Sequence, residues 1–165
     1  MEPPSGERWL RVSIPSQTIA LVAGAEALRI WPVSTAKNGP GEQRGSECTP
    51  RGWHRIRARI GEGLPSHTVF RGRRPTGECY GGQTEADARQ RDWILARILW
   101  LGGLEPGFNR FGPVDTAWRF IYIHGSPDWG VTGEPASHGC VRLRCSDMVE
   151  LFDLAPVGMN VLIEA

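Results

Sequence analysis

A cysteine and two histidines stand at a spacing that suits covalent catalysis. Residues 137–142 read Ser-His-Gly-Cys-Val-Arg, and a further histidine, His124, lies sixteen positions before Cys140. A cysteine attacks a carbonyl carbon as its thiolate, and at an ordinary pKa of about 8.5 only a small fraction of the thiol is ionised at neutral pH. A nearby imidazole can remove the thiol proton, so this set of residues predicts acyl transfer through a thioester at Cys140.

The two histidines differ in how they could reach the thiol. His138 is held near Cys140 by the chain, but a side chain two positions away on an extended or turning backbone usually points elsewhere. His124 follows the apolar run 120–123, which predicts a strand that delivers the imidazole at its end. Gly139 allows the backbone a conformation in which consecutive N–H groups converge, as an oxyanion hole requires.

The same residues also have structural interpretations. A cysteine in a chain of this length is often a small buried apolar residue, and a histidine is often a hydrogen-bonded structural residue. His138, Cys140 and Cys145 could together hold zinc, but ligand pairs spaced as C-x2-C or H-x3-H do not occur in the sequence. We therefore predict no metal and no cofactor.

The composition favours a domain built from strands. The chain has 165 residues, enough for one core, and we predict a single domain over residues 1–165. Its 21 glycines and 13 prolines favour short strands joined by loops. Runs of β-branched and aliphatic residues predict strands over residues 9–14, 18–23, 28–33, 53–60 and 67–71.

Helical spacing is clear only near the C-terminus. The apolar residues that carry it are Met148, Leu151, Phe152 and Ala155. Ser146 is the predicted N-cap of this helix. Residues 38–50 are predicted to be a loop, 61–82 irregular apart from the strand 67–71, and 84–92 one helical turn or a loop. The predicted fold class is therefore mostly β with one packed C-terminal helix.

Charge and hydropathy argue against two classes of partner. The formal net charge is +1 and the sequence pI is about 7.7, which gives no electrostatic reason to expect nucleic acid. The basic stretch 71–74 is too short to change this and is predicted to be a solvated loop. No run approaches the roughly eighteen apolar residues of a membrane-spanning helix, so we expect no membrane partner.

Further segments extend the pattern around the cysteine over nearly the whole chain. Ile-His-Gly at 123–125 and Ser-His-Gly-Cys-Val-Arg-Leu at 137–143 form the most specific part. Five further segments accompany them: an opening hairpin at 11–21, a Trp-Pro-Val-Ser-Thr strand at 31–35, a Thr-Pro-x-Gly turn at 48–52, a central strand at 93–100 and a closing strand at 158–163. Together these segments resemble the L,D-transpeptidase catalytic domain family, also called YkuD. The resemblance implies the mixed-sheet, β-sandwich-like fold of that family.

The resemblance also implies roles for the residues of the signature. Cys140 would be the acylated nucleophile and His124 the general base, with its imidazole oriented by the carbonyl of Gly125. His138 would line the pocket, and the backbone amides of His138, Gly139 and Cys140 would bind the oxyanion. Contacts with substrate would come from Arg142, Tyr122, Ser137 and Trp129. Arg142 could meet a substrate carboxylate or form a surface ion pair, and the two aromatic residues could serve packing instead.

Members of the family act on the peptide stems of bacterial peptidoglycan. The implied partners are therefore tetrapeptide stems, with carbapenem-type β-lactams as covalent inhibitors. Cys140 would attack the carbonyl at the L-centre of diaminopimelate, the third residue of the stem, and release the terminal D-alanine. An amine from a second stem would then give a 3-3 cross-link, and water would give a tripeptide. A binding module without chemistry is a further alternative, although it would not need His124, His138 and Cys140 together.

The start of the sequence bears on the choice of acceptor. Residues 1–4 (Met-Glu-Pro-Pro) make a poor charged region for an export signal, and the apolar run 19–25 is short and is predicted to be a strand. Four cysteines, one of which must stay free to react, favour reduced thiols. We therefore expect a cytoplasmic L,D-carboxypeptidase of cell-wall recycling. The alternative is an exported, periplasmic L,D-transpeptidase.

Overall fold

A mixed β-sheet is the framework of the protein. The computed structural model describes residues 7–81, 83, 86 and 91–165. The strands of this part of the chain are β1 (Arg8–Ser13), β2 (Thr18–Ala23), β3 (Glu26–Pro32), β4 (Gly52–Ile60), β5 (Thr68–Arg71), β6 (Arg74–Cys79), β7 (Leu95–Gly103), β8 (Tyr122–Ser126), β9 (Val141–Arg144) and β10 (Asn160–Glu164). An α-helix, α1, spans Cys145–Leu154, and short 3-10 helices span Gly112–Val114 and Asp128–Gly130.

The order of the strands brings the two halves of the signature together. The sheet runs β3-β2-β1-β10-β4-β7-β5-β6, and β8 pairs with β7 and with β9. Strands β8 and β9 are parallel, with Ile123 opposite Val141 and His124 opposite Arg142. Cys140, immediately before β9, therefore lies beside Tyr122 at the start of β8.

Alternation along the central strands divides the apolar side chains between the two faces of the sheet. On β7 and β8, Leu99, Leu101 and Ile123 belong to the main core, which also contains Met148, Leu151 and Phe152 of α1. The intervening residues Ile98 and Tyr122 belong to a smaller cluster with Phe70 on the opposite face. Cys140 packs against this smaller cluster, so the candidate nucleophile lies on the face that α1 does not cover.

Most of the predicted elements are confirmed. Strand β2 has the predicted bounds, and the strands predicted at 9–14, 28–33, 53–60 and 67–71 appear as β1, β3, β4 and β5 within two residues at each end. Met148, Leu151, Phe152 and Ala155 are all buried, as their helical spacing predicts. The mostly β fold class with a packed C-terminal helix is therefore confirmed.

Three predictions are corrected. The N-cap of α1 is Arg144 and not Ser146, because β9 passes directly into the helix at Cys145 and leaves no turn for a capping side chain. Residues 74–79, predicted to be irregular, form strand β6. The sequence pattern does not indicate this strand because it lies exposed at the edge of the sheet and carries polar residues and a proline. The run 120–123 is not wholly a strand, since Phe120 has a φ of +56° and β8 begins at Tyr122.

Three further predictions concern residues 84–92, His54 and membrane-spanning helices. The prediction for residues 84–92 lies largely outside the described residues. His54, predicted to be structural, is buried, and its ring nitrogens each lie 3.0 Å from an oxygen, Gly52 O and Thr116 Oγ1. Among the described helices none is both long enough and apolar enough to cross a membrane.

Candidate active site

The catalytic turn, residues 137–140, is closed by the side chain of its first residue. Ser137 is buried, and its hydroxyl donates to the carbonyl of Cys140 over 2.6 Å and accepts the N–H of Gly139 over 3.2 Å. Gly139 has a φ of +136°, and a Cβ at this position would lie 3.3 Å from the carbonyl oxygen of Cys48. Both the backbone conformation and the lack of space therefore favour glycine before the cysteine.

Thr49 holds the catalytic turn from a separate loop. Its buried hydroxyl donates to the carbonyl of Gly139 over 2.9 Å and accepts the N–H of Ala36 over 2.9 Å. One side chain thus satisfies a buried donor and a buried acceptor on two different segments. The Thr-Pro-x-Gly turn at 48–52 marks this loop in the sequence, but nothing in that pattern assigns Thr49 a role in the site.

Replacing Thr49 by valine should weaken the fold and the catalytic turn. Valine has nearly the same shape but leaves the Ala36 N–H and the Gly139 carbonyl without their buried partner, at a cost of about 1–3 kcal/mol each. We expect chemical denaturation to report a free energy of unfolding lower by about 2–4 kcal/mol. Thr49→Ser keeps the hydroxyl, so its free energy of unfolding should fall much less. Equal losses in the two variants would contradict the role of these hydrogen bonds.

The sulfur of Cys140 lies against the backbone at the start of β8. The N–H of Tyr122 donates to Sγ over 3.3 Å, and the thiol donates to the carbonyl of Phe120 over 3.6 Å. Burial raises the pKa of the Cys140 thiol to about 11, and the Tyr122 N–H, which favours the thiolate, offsets this only in part. The resting residue is therefore a neutral thiol that needs a base in order to react.

The imidazole of His124 is fixed in one tautomer. Its Nδ1 lies 2.6 Å from the carbonyl oxygen of Gly125, and a carbonyl only accepts, so Nδ1 carries the hydrogen and Nε2 keeps its lone pair. Burial lowers the pKa of His124 to about 4, against the opposing effect of the hydrogen bond to Gly125. His124 is thus a neutral imidazole at physiological pH, which is the form that accepts a proton.

Gly125 is required by the approach of a neighbouring strand. A Cβ at Gly125 would lie 2.5 Å from the carbonyl oxygen of Leu95. The pairing of β7 with β8 shifts register between Leu95 and Ile98, and Ala96 within this bulge has a φ of +68°. The bulge therefore leaves no room for a side chain beside the carbonyl that orients His124.

The nucleophile and the candidate base lie on the same face of the sheet. Tyr122 and His124 are separated by one residue of β8, so their side chains project to the same side, where Cys140 packs. Within the described residues, the hydrogen bonds of the sulfur go to the backbone and not to His124. Transfer of the thiol proton to the imidazole therefore requires the thiol to leave the Phe120 carbonyl.

Two cavities meet at His138. The first has a volume of about 580 Å³ and is lined by Arg44, Trp118, Arg119, Phe120 and Ile121, among others. The second has a volume of about 410 Å³, and its walls include Asp92, Trp93, Ser126, Trp129 and Arg142. His138 is exposed and contributes to both walls. A bound peptide could therefore pass the catalytic turn in either cavity.

The cysteines other than Cys140 are also free thiols. Cys145 is buried, and its thiol donates to the carbonyl of Ser126 over 3.6 Å, so no disulfide joins it to Cys140. In residues 7–81 and 91–165, no group of three or more histidine, cysteine, aspartate or glutamate side chains is placed to hold a metal ion.

The match to a known family covers nearly the whole chain. A profile of the L,D-transpeptidase catalytic domain (YkuD) matches residues 7–163. The chain belongs to this family. A comparison with curated proteins gives no match.

Solved structures of L,D-transpeptidases share the fold. The L,D-transpeptidase of Xylanimonas cellulosilytica DSM 15894 aligns with a TM-score of 0.57 and 20% identity, over 99% of this chain and 63% of that one. LdtMt1 in complex with imipenem aligns with a TM-score of 0.56 and 21% identity, over 95% and 58%. L,D-transpeptidase 3 of Mycobacterium tuberculosis, with a faropenem-derived adduct, aligns with a TM-score of 0.57 and 14% identity, over 96% of this chain and 60% of that one. The chain thus spans less than two thirds of the length of these three structures.

Arg142 of this L,D-transpeptidase catalytic domain forms an ion pair within the protein, and its contact with a substrate carboxylate stays a prediction. It is buried rather than on the surface, and its Nη2 donates to Asp92 Oδ1 over 3.0 Å, with Nη1 3.4 Å from the carbonyl of Ala136. Asp92 Oδ2 also lies 3.6 Å from Nδ1 of His138. Arg142 therefore has a carboxylate partner within the protein, on the wall of the second cavity.

The other predicted substrate contacts occupy different places. Ser137 belongs to the interior of the catalytic turn, where its hydroxyl is engaged, and its contact with substrate stays a prediction. Tyr122 is buried in the smaller apolar cluster, and its hydroxyl accepts from Arg73 over 3.0 Å. Trp129 lines the second cavity and donates to the hydroxyl of Tyr80 over 3.0 Å.

One predicted oxyanion donor has a partner within the catalytic turn. The N–H of Gly139 is used within the catalytic turn by the Ser137 hydroxyl, which leaves the amides of His138 and Cys140. Gly139 contributes to the catalytic turn through its backbone conformation and its lack of a side chain.

Arg119 also belongs to the site, although it is not predicted from the sequence. This residue is half-buried, donates to the carbonyl of Cys48 over 2.7 Å, and lines the first cavity. Its positive charge favours the thiolate of Cys140. No motif marks Arg119, because only the tertiary structure brings it to the loop that supports Gly139.

Proposed function

We propose that this chain is a cysteine acyltransferase of peptidoglycan tetrapeptide stems, and that it acts as an L,D-carboxypeptidase. The observation that carries the chemistry is the arrangement of Cys140 and His124 on one face of the sheet, with Nε2 of the imidazole free to accept a proton. Membership of the L,D-transpeptidase family supports peptidoglycan as the substrate.

The first half of the proposed reaction forms a thioester. His124 Nε2 takes the proton of the Cys140 thiol while the sulfur attacks the carbonyl carbon at the L-centre of diaminopimelate. The amides of His138 and Cys140 bind the oxyanion, a type of contact that contributes about 3 kcal/mol to the transition state. When the intermediate collapses, the carbon–nitrogen bond breaks and the imidazolium returns the proton to the amine of the departing D-alanine.

The second half of the reaction consumes the thioester with water. His124, neutral again, takes a proton from a water molecule, and the resulting hydroxide attacks the acyl carbon. The carbon–sulfur bond then breaks, the thiolate regains its proton from the imidazolium, and a tripeptide with a new carboxylate leaves. The half-buried state of Cys140 and the open cavities at His138 support access of water.

Cross-linking by an amine is the second candidate. An L,D-transpeptidase must hold a second stem while the thioester persists, and the presence of two cavities that share His138 supports this reading. The same thioester precedes either reaction, so the acceptor alone separates the two functions.

The proposal extends to inhibitors and location. The structural neighbours include an imipenem complex, a faropenem-derived adduct and an avibactam carbamoyl enzyme. We expect carbapenems to acylate Cys140 of this chain. Hydrolysis of recovered tetrapeptides is a cytoplasmic task, and fractionation of the cells that produce the protein would test that location.

Incubation with a purified tetrapeptide stem in water enriched in oxygen-18 tests the acceptor. We expect tripeptide and free D-alanine, with one heavy oxygen in the new carboxylate of the tripeptide, by mass spectrometry. The Cys140→Ala protein is the control and should give neither product. Dimer without tripeptide would contradict the carboxypeptidase and establish the transpeptidase. Binding of the stem without any turnover would indicate a binding module.

A further inference from the structure

Arg73 lies in a turn where an arginine is unusual. It follows Gly72 in the two-residue connection between β5 and β6, and Arg71 pairs with Arg74 across that connection. Gly72 has a φ of +56° and Arg73 a φ of +65°, as in the type I′ turn, whose second position strongly favours glycine or asparagine. The arginine therefore occupies this turn against the preference of the backbone, and the contacts of its side chain must offset that cost.

The guanidinium of Arg73 is held between aromatic rings. Its Cζ lies 4.8 Å from the ring centre of Trp100 and 5.1 Å from that of Phe120, and Nη1 donates to the hydroxyl of Tyr122 over 3.0 Å. These contacts fix the plane of the guanidinium, so an anion that binds it in that plane meets a group already immobilised. Among the described residues, no carboxylate pairs with Arg73.

The position of Arg73 connects it to the nucleophile. Tyr122, which Arg73 contacts through its hydroxyl, donates its N–H to Cys140 Sγ, and Phe120, which Arg73 contacts through its ring, accepts the thiol proton at its carbonyl. Phe120 also lines the first cavity, where its side chain is 44% exposed. Because Phe120 contacts the guanidinium and also lines this cavity, a substrate that lies along Phe120 while it reacts at Cys140 would come close to Arg73.

We propose that Arg73 recognises a carboxylate of the peptide stem. This inference rests on the proposed function and adds a specificity residue to it. The stem offers two carboxylates near the bond that breaks: the terminal carboxylate of D-alanine and the free carboxylate of diaminopimelate. Arg142 pairs with Asp92, whereas Arg73 has no carboxylate partner in the part of the chain that the structure describes and can form a charge-assisted, two-point contact.

The test combines a turn-compatible variant with amidated substrates. Glycine suits the positive φ of position 73, which offsets the loss of the ring contacts and of the hydrogen bond to Tyr122, so Arg73→Gly should still fold. For the unmodified stem we expect kcat/KM to fall by about 10- to 100-fold, mainly through KM. Arg73→Lys keeps the charge but not the planar fork, so its kcat/KM should lie between those of the wild type and Arg73→Gly. Arg74→Gln, on the neighbouring exposed residue of β6, is the control and should behave as the wild type.

Two amidated stems identify the carboxylate. One carries a C-terminal amide on D-alanine, and the other an amide on the free carboxylate of diaminopimelate. The kcat/KM of the wild type should be about 10- to 100-fold lower for the stem that lacks the recognised carboxylate than for the unmodified stem. The kcat/KM of Arg73→Gly should be the same for both stems. If the variant discriminates the amidated stems by the same factor as the wild type, Arg73 does not recognise a carboxylate. If the wild type turns over no stem at all, the proposed function itself fails.

Discussion

Replacement of Cys140 by alanine should abolish turnover and covalent labelling together. The variant lacks the only atom on the catalytic turn that can form the thioester, so we expect kcat to fall by roughly 10⁴-fold or more. Incubation with a carbapenem, followed by mass spectrometry of the intact protein, should show an adduct on the wild type and none on Cys140→Ala.

The remaining cysteines supply the controls for this experiment. Cys145 is five positions away but buried, and burial raises the pKa of its thiol to about 12, so it should not replace Cys140 as a nucleophile. Cys79 is exposed on β6 and away from His124 in sequence and in the sheet. Cys79→Ala should therefore keep the adduct. A persistent adduct on Cys140→Ala, or its loss in Cys79→Ala, would contradict the assignment of the nucleophile.

Replacement of His124 by glutamine should slow acylation by about 10²- to 10⁴-fold, because the neutral thiol then lacks its base. Glutamine is close in size to histidine and can still donate to a neighbouring carbonyl, so the packing of β8 against β7 should largely persist. The rate of carbapenem acylation, measured by stopped-flow or by mass spectrometry over time, is the readout.

The pH dependence of acylation reports the pKa of the buried imidazole that acts as base. His124 has a pKa of about 4 and Cys140 a pKa of about 11. Between these values the imidazole is unprotonated and the thiol is protonated, so the wild-type rate should hold through neutral pH and fall only as the pH drops towards 4. In His124→Gln that acid limb should disappear, and the rate should rise with pH as the thiolate forms.

His54 provides a matched control for this profile. Burial also lowers the pKa of His54 to about 4, but its ring bonds to Gly52 and Thr116, and it lies on β4 rather than beside Cys140. His54→Gln should therefore keep the wild-type acid limb of acylation. An acid limb near pH 6.5, the ordinary histidine pKa, would instead contradict the lowered pKa of the buried His124 imidazole.

The local pattern of the sequence predicted most of the fold. Alternating apolar residues gave strands such as β2 and β4, and the spacing of Met148, Leu151 and Phe152 gave the buried face of α1, because both patterns follow from the geometry of a single element. Strand β6 escaped prediction because its residues are polar and exposed at an edge, where pairing with β5 and not burial makes it a strand.

The sequence by itself determined which groups could do chemistry: a thiol, an imidazole and a glycine-containing turn, in a spacing typical of one enzyme family. Only the tertiary structure decided how they are used. It placed Cys140 beside Tyr122 through the parallel pairing of β8 with β9, engaged Ser137 and Arg142 within the protein, and put Arg73 between aromatic rings. The physical reason is that hydrogen-bond partners, burial and pKa values depend on neighbours distant in the chain, which no local pattern specifies.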